Sequence, residues 1–191
     1  KRSEAQLIAD AVAAARKADA VIFVGGLNKS DHQDCEGADR LQYGLPYAQD
    51  RVIEALAEAN PNLAVVMVSG NAVAMPWIDR VPAVLEAWFS GSEAGNALAD
   101  VVFGAVNPSG KLPFTFPVRL EDNSAHALGE YPGTDKVAYN EGIFVGYRWH
   151  DKEQLKPLFA FGHCLSYTTF DIAGVKADRT TLAANGRIRV S

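Results

Sequence analysis

Apolar side chains recur at Leu7, Ile8, Ala11, Val12 and Ala15, the spacing of one helical face. Ser3 and Gln6 stand in capping-box spacing at its start. The continuous apolar run "AVIFVGG" follows, the pattern of a strand buried on both faces. Val52, Ile53, Leu56 and Ala57 define a second helical face, with Pro46 suited to its first turn and Asn60-Pro61 as its stop. "LAVVMVSG" and "AVLEAWF" read as two further strands. Ser90 and Glu93 repeat the capping-box spacing before a helix through Leu98, Ala99, Val102 and Phe103, with Gly104 as its C′ residue. Strand and helix thus alternate from Ser3 to Gly104, which predicts an α/β fold: a mostly parallel sheet sandwiched by helices.

From Asn107 the pattern changes. "NPSGKLPFTFP" carries three prolines and cannot be a regular central strand. Residues 118–140 read mostly as loop, "EGIFVGYRW" as strand-like, and "LKPLFAFGHCLSYTTF" as aromatic and broken by turns. The tail from Asp171 shows short β-like pieces around Asn185-Gly186, the look of a β fragment joined by a linker. The first helix has no strand before it, where a parallel sheet normally supplies one, so the chain reads as a fragment whose first strand is missing.

Composition narrows the function classes. The chain has 191 residues, 48% hydrophobic and 21% charged, with a net charge of −5. A mildly acidic chain without a basic block offers no electrostatic case for nucleic acid or an anionic membrane, and no apolar run approaches the length of a membrane span. Cys35 and Cys164 are too few for a disulfide framework and lack CxxC spacing, and the sequence does not settle whether they pair.

The densest chemistry follows the first strand. Lys29 to Arg40, "KSDHQDCEGADR", sets six charged side chains in twelve residues and adds His32 and Cys35 between them. In open α/β sheets ligands bind beyond the carboxyl ends of the strands, where this segment lies. A solvated loop, a metal site and a catalytic carboxylate compete. Asp31, Gln33 and Cys35 do not fit an EF-hand, and one His with one Cys is no zinc set. "VGGLNKS" lacks the spacing of phosphate-binding loops, and no GxSxG elbow is present. No cofactor or metal is expected. Among the carboxylates, Glu36, Asp34 and Asp31 rank equally as general acids, with His32 as a possible base. Gly37 permits tight backbone geometry beside Glu36, and Asp39 with Arg40 forms a candidate bracing pair.

Four ordered stretches carry a resemblance: "DCEGADRLQYGLP", "SGSEAGNALADVVFGAVNPSGKLPFTFP", "NEGIFVGYRW" and "PLFAFGHCLSYTTF". Together they resemble the C-terminal α/β sandwich of glycoside hydrolase family 3, the family of many β-glucosidases, over residues 1–170. Residues 171–191 resemble the opening of the fibronectin type III-like domain that often follows it. The resemblance implies a retaining exo-acting glycosidase that takes terminal β-D-glucosyl units from a β-glucoside or oligosaccharide. The EG-x-DR loop of the family carries its acid/base Glu, which falls on Glu36. The nucleophile is implied to lie on an N-terminal (β/α)8 barrel of the same protein. Cys164 departs from the family, which usually has glycine there. A non-catalytic flavodoxin-like binding module is the alternative, and the two differ in whether Glu36 faces an open surface or a structural ion pair. Trp77, Trp88 and Trp149 are read first as core residues, Glu141 and Tyr139 as structural, and His163 as a hydrogen-bonded structural histidine. Compartment, sugar and linkage are left open.

Overall fold

A computed structural model describes residues 2–191. Its centre is a parallel three-stranded sheet in the order β1 (Val21–Gly26), β2 (Leu63–Val68), β3 (Ala83–Glu86). Val21 pairs in register with Leu63, and Ala64 with Ala83. The three strands therefore end together, and the loops leaving them share one edge.

Helix α1 (Glu4–Ala15) starts at the expected cap: the Ser3 hydroxyl accepts the Gln6 amide at 3.3 Å, and the Gln6 side chain accepts the Ser3 amide at 2.8 Å. Ile8, Ala11, Val12 and Ala15 form its inner face, while Leu7 points to solvent. Helix α2 (Gln49–Ala59) starts three residues beyond Pro46, because Tyr47 and Ala48 adopt left-handed backbone and Ala48 supplies no side-chain cap. Ile53 and Leu56 are buried from α2, and Asn60 ends it. The Asn60 amide donates to the carbonyls of Ala15 and Ala18 at 2.9 and 2.8 Å, tying the end of α2 to the end of α1.

Alternation along the strands sorts the two faces of the sheet. Leu63, Val65 and Met67 turn toward Ile53, Leu56, Trp77 and Phe116, and this face holds the core. On the other face Ile22 and Val24 stay 45% and 57% exposed, so β1 is not buried on both faces as its apolar run implied. Among the described residues β1 has one hydrogen-bonded neighbour, β2. Continuous hydrophobicity records the burial a strand is built for, and edge position is invisible to it.

Beyond β3, a 3₁₀ turn over Gly91–Glu93 leads into α3 (Ala94–Val102). The Ser90 hydroxyl donates to the Ala87 carbonyl at 2.6 Å instead of capping, so no capping box forms there. Gly104 takes the expected positive φ of +78° after the helix. The proline-rich stretch runs antiparallel to residues 158–163 through the Phe116–Phe159 bridge and the Leu112 amide on the His163 carbonyl at 3.0 Å. A short turn, α4 (Ser124–Ala127), interrupts the long loop.

"EGIFVGYRW" is not a strand. Its Ile143, Val145 and Tyr147 alternate, but all three are exposed, and Gly142 and Gly146 both have positive φ. Gly146 instead precedes α5 (Tyr147–Glu153), which buries Trp149 and His150. In the exposed tail, residues 171–191, one antiparallel bridge pairs Ala177 with Val190.

Candidate functional site

The connection from Leu27 to Ala48 leaves β1 at the shared edge of the sheet and returns at α2. An irregular connection this long is uncommon in a compact domain and is usually functional. Its base is closed by one side chain: the Gln49 amide accepts from the Gly26 N–H at 2.7 Å and donates to the Gly26 carbonyl at 2.8 Å. Gly26 has φ +134°, and a Cβ there would lie 2.1 Å from the Val68 carbonyl oxygen, so this approach requires glycine.

Within the loop, polar side chains replace secondary structure. The Asn28 side chain accepts the Ser30 amide at 2.7 Å, and the Asp34 N–H donates to the Asn28 carbonyl at 3.0 Å. Gln33 is buried; its side chain accepts the Asn28 amide at 3.1 Å and donates to the Tyr47 hydroxyl at 2.7 Å. The His32 ring N–H donates to the Asp39 carbonyl at 3.1 Å, and the Cys35 thiol donates to the Ala38 carbonyl at 3.3 Å. Strain concentrates here as well. Five non-glycine residues have positive φ among the described residues; three are His32, Tyr47 and Ala48 in this loop, and Trp88 lies two residues beyond β3.

Two side-chain bonds pin the loop to the turn after β2, besides the Ala74 amide on the Tyr43 carbonyl at 3.0 Å. The Gly70 amide donates to the Asp34 carboxylate at 2.6 Å, and the Arg40 guanidinium donates to the Ala72 carbonyl at 2.6 Å. Burial holds the Arg40 pKa below its usual value, partly offset by the Asp34 charge. Arg40 does not pair with Asp39, whose carboxylate accepts the Tyr131 hydroxyl instead. The neighbouring residues in sequence point to different parts of the fold.

Glu36 sits between these anchors. It is exposed, and among the described residues its side chain has no hydrogen bond and no ion pair. It borders an open polar cleft of about 350 Å³, together with Lys29, Asp34, Asp39, Arg40 and Gly70. Asp31 is exposed outside this anchoring, and Asp34 is committed to Gly70. The three carboxylates that looked equal in sequence thus differ: one grips the scaffold, one stays at the surface, and Glu36 alone lines the cleft without a bond. Gly37 has no positive φ, and open space surrounds its Cβ position, so the turn beside Glu36 does not need glycine for backbone reasons.

The remaining candidates resolve simply. Trp77 is fully buried and donates to the Asp50 carboxylate at 2.8 Å; Trp149 is buried; Trp88 packs edge-on against Phe114 and Phe116. Glu141 is buried and Tyr139 exposed. His163 is exposed; its ring lies against Phe159 with centroids 5.1 Å apart and, among the described residues, makes no hydrogen bond, so the expected hydrogen-bonded role is not seen. Cys35 and Cys164 are free thiols. Among the described residues no three His, Cys, Asp or Glu side chains are placed to share a metal ion.

Sequence reasoning missed Gln49, Ala72 and Glu86. Glu86 closes β3 beneath the cleft, and burial pushes its pKa up to about 7, against the donors that face it. An acidic residue ending an otherwise apolar strand was the available signal.

Comparison with known proteins fits this geometry. Residues 2–147 match the family model described as "Glycosyl hydrolase family 3 C-terminal domain". The chain is 54% identical over 185 residues to beta-glucosidase BoGH3A of Bacteroides ovatus, covering 95% of this chain and 25% of that protein. It is 46% identical to thermostable beta-glucosidase B of Acetivibrio thermocellus, covering 97% of this chain and 24% of that one. The crystal structure of DesR, a beta-glucosidase from Streptomyces venezuelae in complex with D-glucose, superposes with a TM-score of 0.88 at 41% identity, covering 97% of this chain and 23% of that chain. This chain therefore spans about a quarter of the length of the relatives it matches. With the family model covering most of its residues, the chain belongs to glycoside hydrolase family 3, as a C-terminal domain of that family.

Proposed function

We propose that this chain supplies the acid/base half of a retaining exo-β-glucosidase, with Glu36 as the catalytic acid/base. The nucleophile belongs to an N-terminal (β/α)8 barrel of the same protein, and the substrate is a terminal non-reducing β-D-glucosyl residue. The observation that carries this reading is the state of Glu36. Among the described residues it is an unpaired carboxyl at an open cleft, on a loop pinned on both sides of it. The similarity to named β-glucosidases supports the substrate class.

The chemistry follows from that placement. A sugar bound between the barrel and the cleft excludes water from Glu36, which enters the reaction as the proton donor. The barrel carboxylate attacks C1, the C1–O bond breaks, and the Glu36 proton goes to the departing oxygen. Glu36, now ionised, takes a proton from water as that water attacks C1 and frees the nucleophile. Retention requires the two carboxyl groups roughly 5–5.5 Å apart. We read residues 171–191 as the opening of a fibronectin type III-like domain. The test is turnover of an aryl β-glucoside by the complete protein, by the complete protein carrying Glu36→Gln, and by this chain alone. Turnover by this chain alone, with contamination excluded, overturns the reading.

A further inference from the structure

The geometry points to Glu86 as a positioning residue for Glu36: its neutral carboxyl completes a hydrogen-bond chain through Ser69 to Asn71 beneath the loop anchors, and its ionisation loosens that loop. The inference rests on the acid/base reading of Glu36.

The chain is read from donors and acceptors. Ser69 is fully buried, and its Oγ lies 2.9 Å from the Asn71 carbonyl oxygen and 3.2 Å from Glu86 Oε1. A hydroxyl has one proton to donate. The Asn71 carbonyl only accepts, and so does an ionised carboxylate, so with Glu86 charged the two compete for that proton. With Glu86 neutral there is no competition: the carboxyl donates to Ser69 Oγ, and Ser69 donates to Asn71. The Trp88 amide, 3.2 Å from Oε1, remains a donor in either state. Among the described residues Glu86 Oε2 is buried without a hydrogen-bond partner. An uncharged carbonyl oxygen tolerates that position far better than half of a buried charge. Burial raises the Glu86 pKa to about 7, against the Trp88 amide and the Ser69 hydroxyl and amide that donate to it.

Asn71 lies between the two anchor points, Gly70 and Ala72. Ionising Glu86 diverts the Ser69 proton from Asn71. It also places a second negative charge near Asp34, the charge that acts on Glu86 and the group that holds Gly70. Both effects oppose the same anchor. The other charged groups nearby are on the loop side: Arg40, bonded to Ala72, Glu36 and Asp39 along the cleft, and Lys29, whose ammonium lies 4.2 Å from the Phe89 ring centroid. Residues 69–72 carry no charge, and neither do Trp88, Phe114 and Phe116.

The experiment uses the complete enzyme and two readouts. Hydrogen–deuterium exchange of peptides from residues 27–48 is followed at pH 6 and 8.5, corrected for intrinsic exchange, alongside the pH dependence of kcat/KM on an aryl β-glucoside. In the native enzyme the loop should exchange several-fold faster at pH 8.5. Glu86→Gln keeps a neutral donor and acceptor at every pH, so loop protection should become independent of pH. The alkaline limb of kcat/KM should move up by about one unit or more. Ser69→Ala breaks the chain without touching the carboxyl and should give fast exchange at both pH values; it carries the test if Glu86→Gln does not fold. Exchange in Glu86→Gln that follows the native pH dependence, or a Ser69→Ala loop as protected as the native one, overturns the inference. If the exchange switch is present in a protein without β-glucosidase activity, the functional reading of Glu36 fails and the coupling of Glu86 to the loop stands.

Discussion

Asp34 and Arg40 hold one short turn from opposite sides of Glu36: Asp34 takes the Gly70 amide and Arg40 gives to the Ala72 carbonyl, both at 2.6 Å. Glu36 is therefore placed by bonds it does not make. A side chain that must exchange a proton is best left free of fixed partners, while its backbone is held by bonds made by its neighbours.

The Arg40 anchor should be measurable in the fold itself. Arg40→Leu removes a charged donor and leaves the Ala72 carbonyl unpaired. A hydrogen bond to a charged group is worth about 1.5–3 kcal/mol. The urea midpoint should fall accordingly, and Arg40→Lys should recover part of the loss. A midpoint unchanged in Arg40→Leu would mean that the bond to Ala72 contributes nothing to the native state.

Two glycines in or beside the loop should respond oppositely to alanine. At Gly26 the added Cβ meets the Val68 carbonyl oxygen at 2.1 Å with φ at +134°. Backbone cannot yield there without breaking β1–β2 pairing, so Gly26→Ala should cost more than about 3 kcal/mol. Gly37→Ala meets nothing within 4 Å and needs no positive φ, so thermal unfolding should change by no more than about 0.5 kcal/mol. Equal effects at the two positions would contradict this account of the loop.

Glu86 gives stability a pH dependence of known sign. Its folded pKa of about 7 lies above the ordinary 4.5, so the fold favours the neutral form. The contribution is full below about pH 4.5, declines as pH rises between 4.5 and 7, and is lost above 7. Its size is at most about 3 kcal/mol. Glu86→Gln should flatten denaturation midpoints over this interval. Parallel curves for native and variant proteins would show that Glu86 titrates normally.

What was legible in the sequence was local or periodic. The Ser3–Gln6 cap, most of the inner face of α1 and the three strands follow from spacing, although the burial of β1 on both faces does not hold, and the position of the Glu36 loop at a strand's carboxyl end follows from topology. The anchors do not, because Asp34 and Arg40 reach residues 36 and 32 positions away. Nothing in the sequence marked Gln49, which closes the loop on Gly26. The alternation at Ile143, Val145 and Tyr147 misled for a different reason: these side chains are exposed, and period two carries meaning only where one face is buried.

The most discriminating prediction concerns Glu36 in the complete enzyme. Glu36→Gln preserves shape and removes proton transfer. On an unactivated glucoside, whose departing oxygen needs the proton, turnover should drop by the roughly 10²–10⁴-fold of general acid–base catalysis. On an aryl glucoside with a good leaving group the first step needs little protonation and should lose far less. The second step still lacks its base, so the glycosyl-enzyme should accumulate as a burst followed by slow turnover. Azide attacks without needing a proton removed, and it should restore turnover while yielding the β-glucosyl azide. Asp31→Asn, at an exposed carboxylate outside the anchors, should show neither the leaving-group dependence nor the rescue. Equal losses on both substrates with no azide product would make Glu36 a structural residue of the loop and send the search for the proton donor to another carboxyl.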